Sequence, residues 1–367
     1  MVLPDLTPRV LNHWHSLFPH LDKPRDLRYT GISGSVEGGT VTFLAFGGKT
    51  SKPLFVVKVL RDPLSKERVE RERTVLSYLH SLGGPLSASL PKLVMVEQIG
   101  HNWVLVQSIV EGQPLQDKGL GDGQADVQIV ARNVNVATQW LGELGCATRS
   151  HDVVSEAALA HETQTILEQF TNTFYFSGTE AQTLQDIAAR LPSLVRGGVC
   201  VQHRDFIREN ILLREPNKVN VIDWSDSRRS GFVLHDLFFF LTNYFSRMGS
   251  GAGIERLESA FLSTFFHPNR YSALVTQSIQ SYLRHTGVPR DHLEIHFGLF
   301  LVEHAMFEYK KVLRQTERGS VPKAIIHFAA QRDSSFQEAI KQQIWVHFFR
   351  LFVHERHAGH AMLAVDG

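Results

Sequence analysis

The stretch Val199 to Asp236, VCVQHRDFIRENILLREPNKVNVIDWSDSRRSGFVLHD, carries His203, Asp205 and Asn210 in the pattern H-x-D-x4-N. A polar turn, Arg214 to Lys218, follows, and then an apolar run of β type, Val219 to Ile222, that delivers Asp223. Each piece has a chemical use. An Asp on a loop can take the proton of an attacking hydroxyl, and an Asn a few residues on can offer its carbonyl oxygen to a cation. A second Asp at a strand end completes such a cation site with a carboxylate. The set suits phosphoryl transfer, in which catalysis is mostly positioning and charge neutralisation. A hairpin with incidental polar residues is the plain competing reading. A lone H-x-D would favour it; the full set at this spacing does not.

HRDFIRENIL followed by VNVIDW resembles the catalytic and metal-binding loops of the aminoglycoside phosphotransferase and choline kinase family. The continuation SDSRRSGFVLHDL is also similar, with Gly231 and Asp236 where that family has a Gly and the Asp of "Y-D-L". The resemblance implies an α+β, two-lobed, protein-kinase-like fold. Residues 1–110 would form a small β-rich N-lobe with one helix that handles nucleotide phosphates. Residues 111–367 would form a larger, mainly helical C-lobe holding the catalytic and metal loops and the acceptor site. It further implies that Asp205 is the catalytic base, that Asn210 and Asp223 bind Mg²⁺, and that His203 and Asp236 support the loops. ATP is the implied phosphoryl donor, with GTP left open. Arg204 is a departure, because the family commonly has Gly or another small residue there; "HRD" is the protein-kinase spelling.

Upstream, residues 1–28 contain Pro4, Pro8, Pro19 and Pro24 among apolar and His residues, which predicts a short helix and a lead-in segment. From Tyr29 the texture turns to Gly and β-branched residues (YTGISGSVEGGTVTFLAFGG), predicting strand, tight turn and strand. Gly31, Gly34, Gly38 and Gly39 could let backbone N–H groups approach phosphates, although hairpins use Gly for turns anyway. PLFVVKVL is an apolar strand with Lys58 at its centre. An edge-strand Lys that guards against aggregation is the plain reading. Its position between a Gly-rich hairpin and a charged helix favours contact with the nucleotide's α and β phosphates and pairing with a helical Glu. That helix is predicted over Ser65 to Leu82, where Glu67, Glu70 and Glu72 compete for Lys58. The register E-R-T-V-L-S-Y-L selects Glu72, by similarity to the family's E-x-x-x-L-x-x-L.

Leu90 to Glu97 and Asn102 to Ile109 read as strands joined by a turn at Gly100, followed by the polar VEGQPLQDKGLGDGQ. This order resembles the family's hinge, where backbone groups from Gln107 through Ile109 to Val110 would read the adenine edge. Helices are predicted over Ala125–His151, His161–Asn172 and Gly178–Leu194, the last ended by Pro192 and the Gly197–Gly198 pair. After Asp236 the chain is mostly helical and aromatic, its last helical stretch being SFQEAIKQQIWVHFFRLFVHERH. Glu303, His304, Glu308 and the Phe238 to Phe240 cluster are acceptor-side candidates better read as packing or surface residues. His354, His357 and His360 beside Glu355 read as the polar face of a terminal helix rather than as metal ligands.

Composition bounds the partners. Hydrophobic residues make up 43% and charged residues 20%, an ordinary globular balance, and 367 residues suffice for a large core. A formal net charge of +1 provides no overall field for nucleic acid or an anionic membrane. Cys146 and Cys200 both lie in apolar contexts and are expected to be buried free thiols. MVLPDLTPRV lacks the basic and apolar regions of a secretory leader, and the apolar segments are short or interrupted by His and acidic residues. A cytoplasmic location is the expectation; oligomeric state is not legible.

The acceptor is expected to be small. Asp223 is followed by Trp224 and Ser225 rather than Phe-Gly, and Asp236 arrives without an A-P-E sequence, leaving little chain for a peptide platform. The expected function is therefore transfer of the ATP γ-phosphoryl group to a hydroxyl of a metabolite, sugar, amino alcohol or aminoglycoside. The alternatives are a non-catalytic nucleotide-binding pseudokinase or scaffold on the same fold, and a protein kinase, favoured by Arg204 alone.

Overall fold

The computed structural model describes residues 2–34, 40–48, 50–61, 65–115, 120, 125–214, 217–249, 253–317 and 343–363. The chain divides into two compact units. One comprises residues 1–114 with 210–228, the other residues 115–209 with 229–367.

In the first unit, β1 (Leu27–Gly34), β2 (Thr40–Gly47), β3 (Phe55–Leu60), β4 (Leu93–Ile99) and β5 (Asn102–Ser108) form an antiparallel sheet in the order β1-β2-β3-β5-β4. Side chains alternate across a strand, and β3 uses both faces. Phe55, Val57 and Val59 join Val104 and Val106 of β5 in a core completed by α1 (Leu3–Asn12), through Leu6 and Val10, and by Trp14 and Phe18 just beyond it. Leu6 and Val10, four residues apart, share one face of α1. On the opposite sheet face Leu60 and Leu105 pack against Val69 of α2 (Ser65–Leu82). That is also the face of Lys58 and, two residues from Leu105, of Gln107. At the end of the first hairpin Gly34 pairs with Val41, while Gly38 and Gly39 lie outside the described residues.

The hairpin of β8 (Ile211–Arg214) and β9 (Lys218–Val221) belongs to this unit rather than to the helical one in which the sequence reading put it. Three contacts explain why. The Val221 N–H donates to the Ser89 carbonyl at 3.0 Å, the Asn220 side chain donates to the Glu111 carbonyl at 2.7 Å, and β6 (Gln113–Pro114) pairs with β8. Gly112, at φ +131°, lets β6 come close: a Cβ there would stand 2.9 Å from that of Leu212.

The second unit is mainly helical: α3 (Val127–Thr148), α4 (Val153–Thr173), α5 (Gly178–Arg196), α6 (His235–Tyr244), α7 (Gly253–Phe265), α8 (Ser272–Thr286), α9 (Leu293–Glu317) and α10 (Ile344–His357). Its core is aromatic. Phe297 of α9 has Phe265 at 4.6 Å, Phe238 at 4.9 Å and Phe352 at 5.5 Å between ring centroids, in the tilted and edge-on arrangements that aromatic quadrupoles favour. Phe238, Phe239, Phe240, Glu303 and His304 are all buried here.

Three sequence expectations are corrected. Helix α5 runs through Pro192 to Arg196 and ends at Gly197, because Leu191, Leu194 and Val195 bury their side chains and outweigh the one backbone bond the proline removes. Cys200 is buried, but Cys146 is exposed on α3, its thiol donating to the His285 carbonyl at 3.0 Å. The last helix begins at Ile344, and residues 335–342 of the expected stretch lie outside the described residues. Glu355 on that helix is buried and accepts from His360 Nδ1 at 2.7 Å. Among the described residues no group of three His, Cys, Asp or Glu side chains is arranged to hold a metal ion, and no helix is long and apolar enough to cross a membrane.

Candidate active site

In the first unit Lys58 lies in the middle of β3, 7% exposed, and its strand position aims it at α2. There it meets Glu72, 1% exposed, with Nζ to Oε1 at 2.8 Å. Glu70, one of the competing carboxylates, pairs with Arg73 instead. Lys58 also donates to Asp223 Oδ1 at 3.0 Å, and the Gln107 amide donates to Glu72 Oε1 at 2.7 Å. Burial acts to lower the lysine pKa, but the charges and hydrogen bonds of Asp223 and Glu72 outweigh it and hold the ammonium above its ordinary range.

Register places Asn210 and Asp223 at the same end of the hairpin. Ile211 pairs with Val221 at the open end of the hairpin, so the residues just beyond that pair face each other, and the Ile222 N–H donates to the Asn210 carbonyl at 3.0 Å. Asp223 follows at φ +64°, a left-handed conformation that Asp tolerates better than most residues. Trp224 is wholly buried and anchors the turn, its indole N–H donating to the Val221 carbonyl at 3.1 Å. From α2, Arg68 donates to Ser225 Oγ at 2.9 Å and approaches Asp226 Oδ1 at 3.7 Å. The donor set of an Asn carbonyl and a carboxylate is hard oxygen, which suits Mg²⁺. That ion is typically held by one or two carboxylates plus phosphate oxygens rather than by an all-protein cage.

The second unit holds the loop of Asp205. Its geometry is set by Asp236 at the start of α6, which accepts the backbone N–H of His203 at 2.6 Å and of Arg204 at 2.9 Å. Burial acts to raise the Asp236 carboxyl; the neighbouring His235 and His203 and the backbone donor outweigh it, and its pKa lies below the ordinary value. His203, fully buried, has its Nδ1 3.3 Å from the Asp205 N–H. Arg204 adopts φ +65° and, with Asp223, completes the non-glycine residues of left-handed backbone among those described. Its guanidinium lies 4.5 Å from the centroid of Phe307. Phe206, immediately after Asp205, is buried and stacked on Trp140 at 5.5 Å with the rings 11° apart. Below the loop a Cβ at Gly231 would stand 2.2 Å from the side chain of Gln202, whose amide donates to the Phe232 carbonyl at 2.8 Å.

Lys58, Glu72, Asn210 and Asp223 thus share one unit, and Asp205 stands in the other. Gly34 lies at the end of β1, and Ile109 is the first residue off β5, whereas Gln107 is still within the sheet. Three participants escaped the sequence reading: the Gln107 side chain, the Arg68 contacts to Ser225 and Asp226, and the Trp140 support of Phe206. For Gln107 a signal existed, since it falls on the Lys58 face once strand alternation is followed from Leu105.

Several solved structures are similar. The aminoglycoside phosphotransferase APH(2'')-Ib bound to ADP aligns over 94% of this chain and 96% of its own, with 14% identity and a TM-score of 0.42. An aminoglycoside phosphotransferase from Alicyclobacillus acidocaldarius aligns over 90% and 92%, with 14% identity and a TM-score of 0.42. Aminoglycoside-3'-phosphotransferase of type VIII aligns over 80% and 97%, with 16% identity and a TM-score of 0.44. No curated protein sequence matches the chain. The model of the Phosphotransferase enzyme family matches residues 43–274, well over half of the sequence, from β2 to the start of α8. With its five-stranded sheet followed by a mainly helical remainder, the chain belongs to that family and has its kinase-like fold.

Proposed function

We propose that the chain is a small-molecule kinase that moves the γ-phosphoryl group of ATP to an alcohol. The observation that carries the reading is the buried Lys58, gripped by Glu72 and in contact with Asp223. A buried ammonium whose partners are both fixed is preorganised to take phosphate oxygens. Asn210 and Asp223 would hold Mg²⁺, which supplies neutralisation of the phosphate charge when bound. Asp205 orients the acceptor hydroxyl and takes its proton. A bond forms between the acceptor oxygen and the γ-phosphorus, the bond from that phosphorus to the β,γ-bridging oxygen breaks, and ADP leaves.

Small acceptors are favoured by the segment after Asp223. Trp224, Phe232, Val233 and Leu234 are buried, and β10 (Arg228–Gly231) is paired with β7 (Cys200–Gln202), so this stretch is committed to the protein interior rather than to holding a peptide. The test is ADP release across a panel of hydroxylated metabolites and aminoglycosides, with wild type and Asp205→Asn. A general base contributes about 10²–10⁴-fold, so the variant should lose about that much turnover while still binding Mg-ATP. Near-normal turnover in the variant would remove Asp205 as base. Efficient phosphorylation of peptides alone would remove the small acceptor.

A further inference from the structure

The residues on either side of Asp205 are each anchored on an aromatic ring, and the two rings belong to different helices. Phe206 stacks on Trp140 of α3, with centroids 5.5 Å apart. Arg204 lays its guanidinium over Phe307 of α9, 4.5 Å from the ring centroid. A third helix fixes the backbone: Asp236 at the start of α6 accepts the N–H groups of His203 and Arg204. The loop then turns at once, the Ile207 N–H donating to the Asp205 carbonyl at 2.9 Å. All of these partners lie in the second unit.

Position 204 is where such an anchor matters. Its backbone is left-handed, at φ +65°, a conformation that favours glycine and that other side chains adopt at a cost. A glycine would relieve that cost, but it would leave the peptide joining 204 to 205 with more freedom to rotate. Arginine narrows that freedom and adds a tether. A flat guanidinium over an aromatic face is attracted by the ring quadrupole, and more strongly where water is partly excluded. Arg204 and Phe307 are both half-buried. Phe307 is itself backed by His304, one turn earlier on α9, at 5.9 Å between ring centroids. His304 is buried between Phe239 of α6 at 4.5 Å and Trp345 of α10 at 4.0 Å. Burial, reinforced by the charges of His235, Arg204 and Lys311, holds the His304 pKa well below the ordinary histidine value. The imidazole behind Phe307 is therefore neutral and does not repel the guanidinium. The ring that Arg204 rests on is seated against the aromatic core.

We propose that Arg204 is a positioning residue for Asp205: resting on Phe307, it ties the peptide between 204 and 205 to α9 and fixes the direction of the Asp205 carboxylate. The tether stands on the contact itself; its part in turnover rests on the proposed phosphoryl transfer. The test uses the full chain. F307L keeps residue 204 and removes its ring, R204G keeps the ring and removes the cation, and R204K keeps the charge without the flat face. Hydrogen–deuterium exchange of the amides from His203 to Ile207 should quicken about 2- to 30-fold in F307L and R204G, the range for loss of one cation–π contact, with the amides of α3 unchanged. ADP release from Mg-ATP, with water as the acceptor, should fall over the same range while KM for ATP holds, and R204K should fall between. R204G should do this without melting at a lower temperature, because glycine relieves the left-handed backbone as the contact is lost. Unchanged exchange in F307L, or quickening that α3 shares, would overturn the tether. Faster loop exchange with wild-type ADP release, or a loss of rate that follows a loss of thermal stability in every variant, would overturn the positioning role. If Asp205→Asn releases ADP as fast as wild type, or wild type releases none, the proposed kinase activity and the positioning role fail together, and the exchange result still decides the tether.

Discussion

The carboxylate of Asp236 accepts the backbone N–H of His203 at 2.6 Å across 33 residues of chain, and the next N–H, that of Arg204, goes to its other oxygen. One buried side chain therefore sets the path of the loop that carries Asp205. Asp236→Ala strands both donors and should destabilise the protein by about 2–6 kcal/mol, at about 1–3 kcal/mol for each buried unsatisfied group. Urea unfolding measures it.

Protonation should reproduce part of that loss. The folded Asp236 pKa is depressed below the ordinary aspartate value of 3.8, so its stabilisation is fully present above the unfolded-state value. It is lost as pH falls through that value toward the lower folded one. Wild type and Asp236→Asn compared by urea unfolding should converge over that acid window; a gap that stays constant into strong acid would contradict the assignment.

Removing Lys58 should harm stability as well as activity. Lys58→Met leaves the Glu72 carboxylate buried with the Gln107 amide as its remaining side-chain partner among the described residues, and breaking one side of a buried pair costs about 3–5 kcal/mol. Glu72→Gln in the same chain should recover much of that stability and none of the turnover. A double-mutant cycle in thermal unfolding should give a coupling of about 0.5–3 kcal/mol. Additive effects would mean that the two side chains are independent.

The Trp140–Phe206 stack should matter for rate more than for nucleotide affinity. Phe206→Ala is expected to cost about 3–5 kcal/mol of stability, as large-to-small changes at aromatic core positions do. The milder Phe206→Leu should fold and bind Mg-ATP normally while lowering kcat, because the residue beside Asp205 loses its flat support. Unchanged kcat in the leucine variant would reduce the stack to packing.

Gly231→Ala should destabilise by about 1–3 kcal/mol, the usual cost of overpacking. The added methyl would collide with Gln202, which is buried and committed to the Phe232 carbonyl. Gln202→Ala in the same chain should relieve the collision, as read by thermal melting.

Much of the first unit was legible because local pattern and tertiary environment agree there. The charged and apolar pattern from Ser65 to Leu82 gave the bounds of α2, and the place of Lys58 between a Gly-rich hairpin and that helix pointed it to a helical Glu. What escaped depends on partners distant in sequence. Asn210 and Asp223 stand at the same end of the hairpin because Ile211 pairs with Val221, a register that the apolar run alone does not specify. The support of Phe206 comes from Trp140, far upstream on a helix whose apolar face offers many candidates. Pro192 reads as a stop, and burial of the residues after it overrides that signal. Cys146 sits among apolar neighbours in sequence, yet its direction on α3 turns it outward.

Left-handed backbone at Arg204 and Asp223 has an evolutionary corollary. Each position bears a side chain where glycine would sit more easily, by about 1–2 kcal/mol. Selection for heat resistance alone would drift toward glycine at both. At 204 that exchange would give up the cation resting on Phe307, while at 223 it would delete the carboxylate that meets Lys58. Laboratory lineages propagated with and without a requirement for activity should therefore part company first at these two codons.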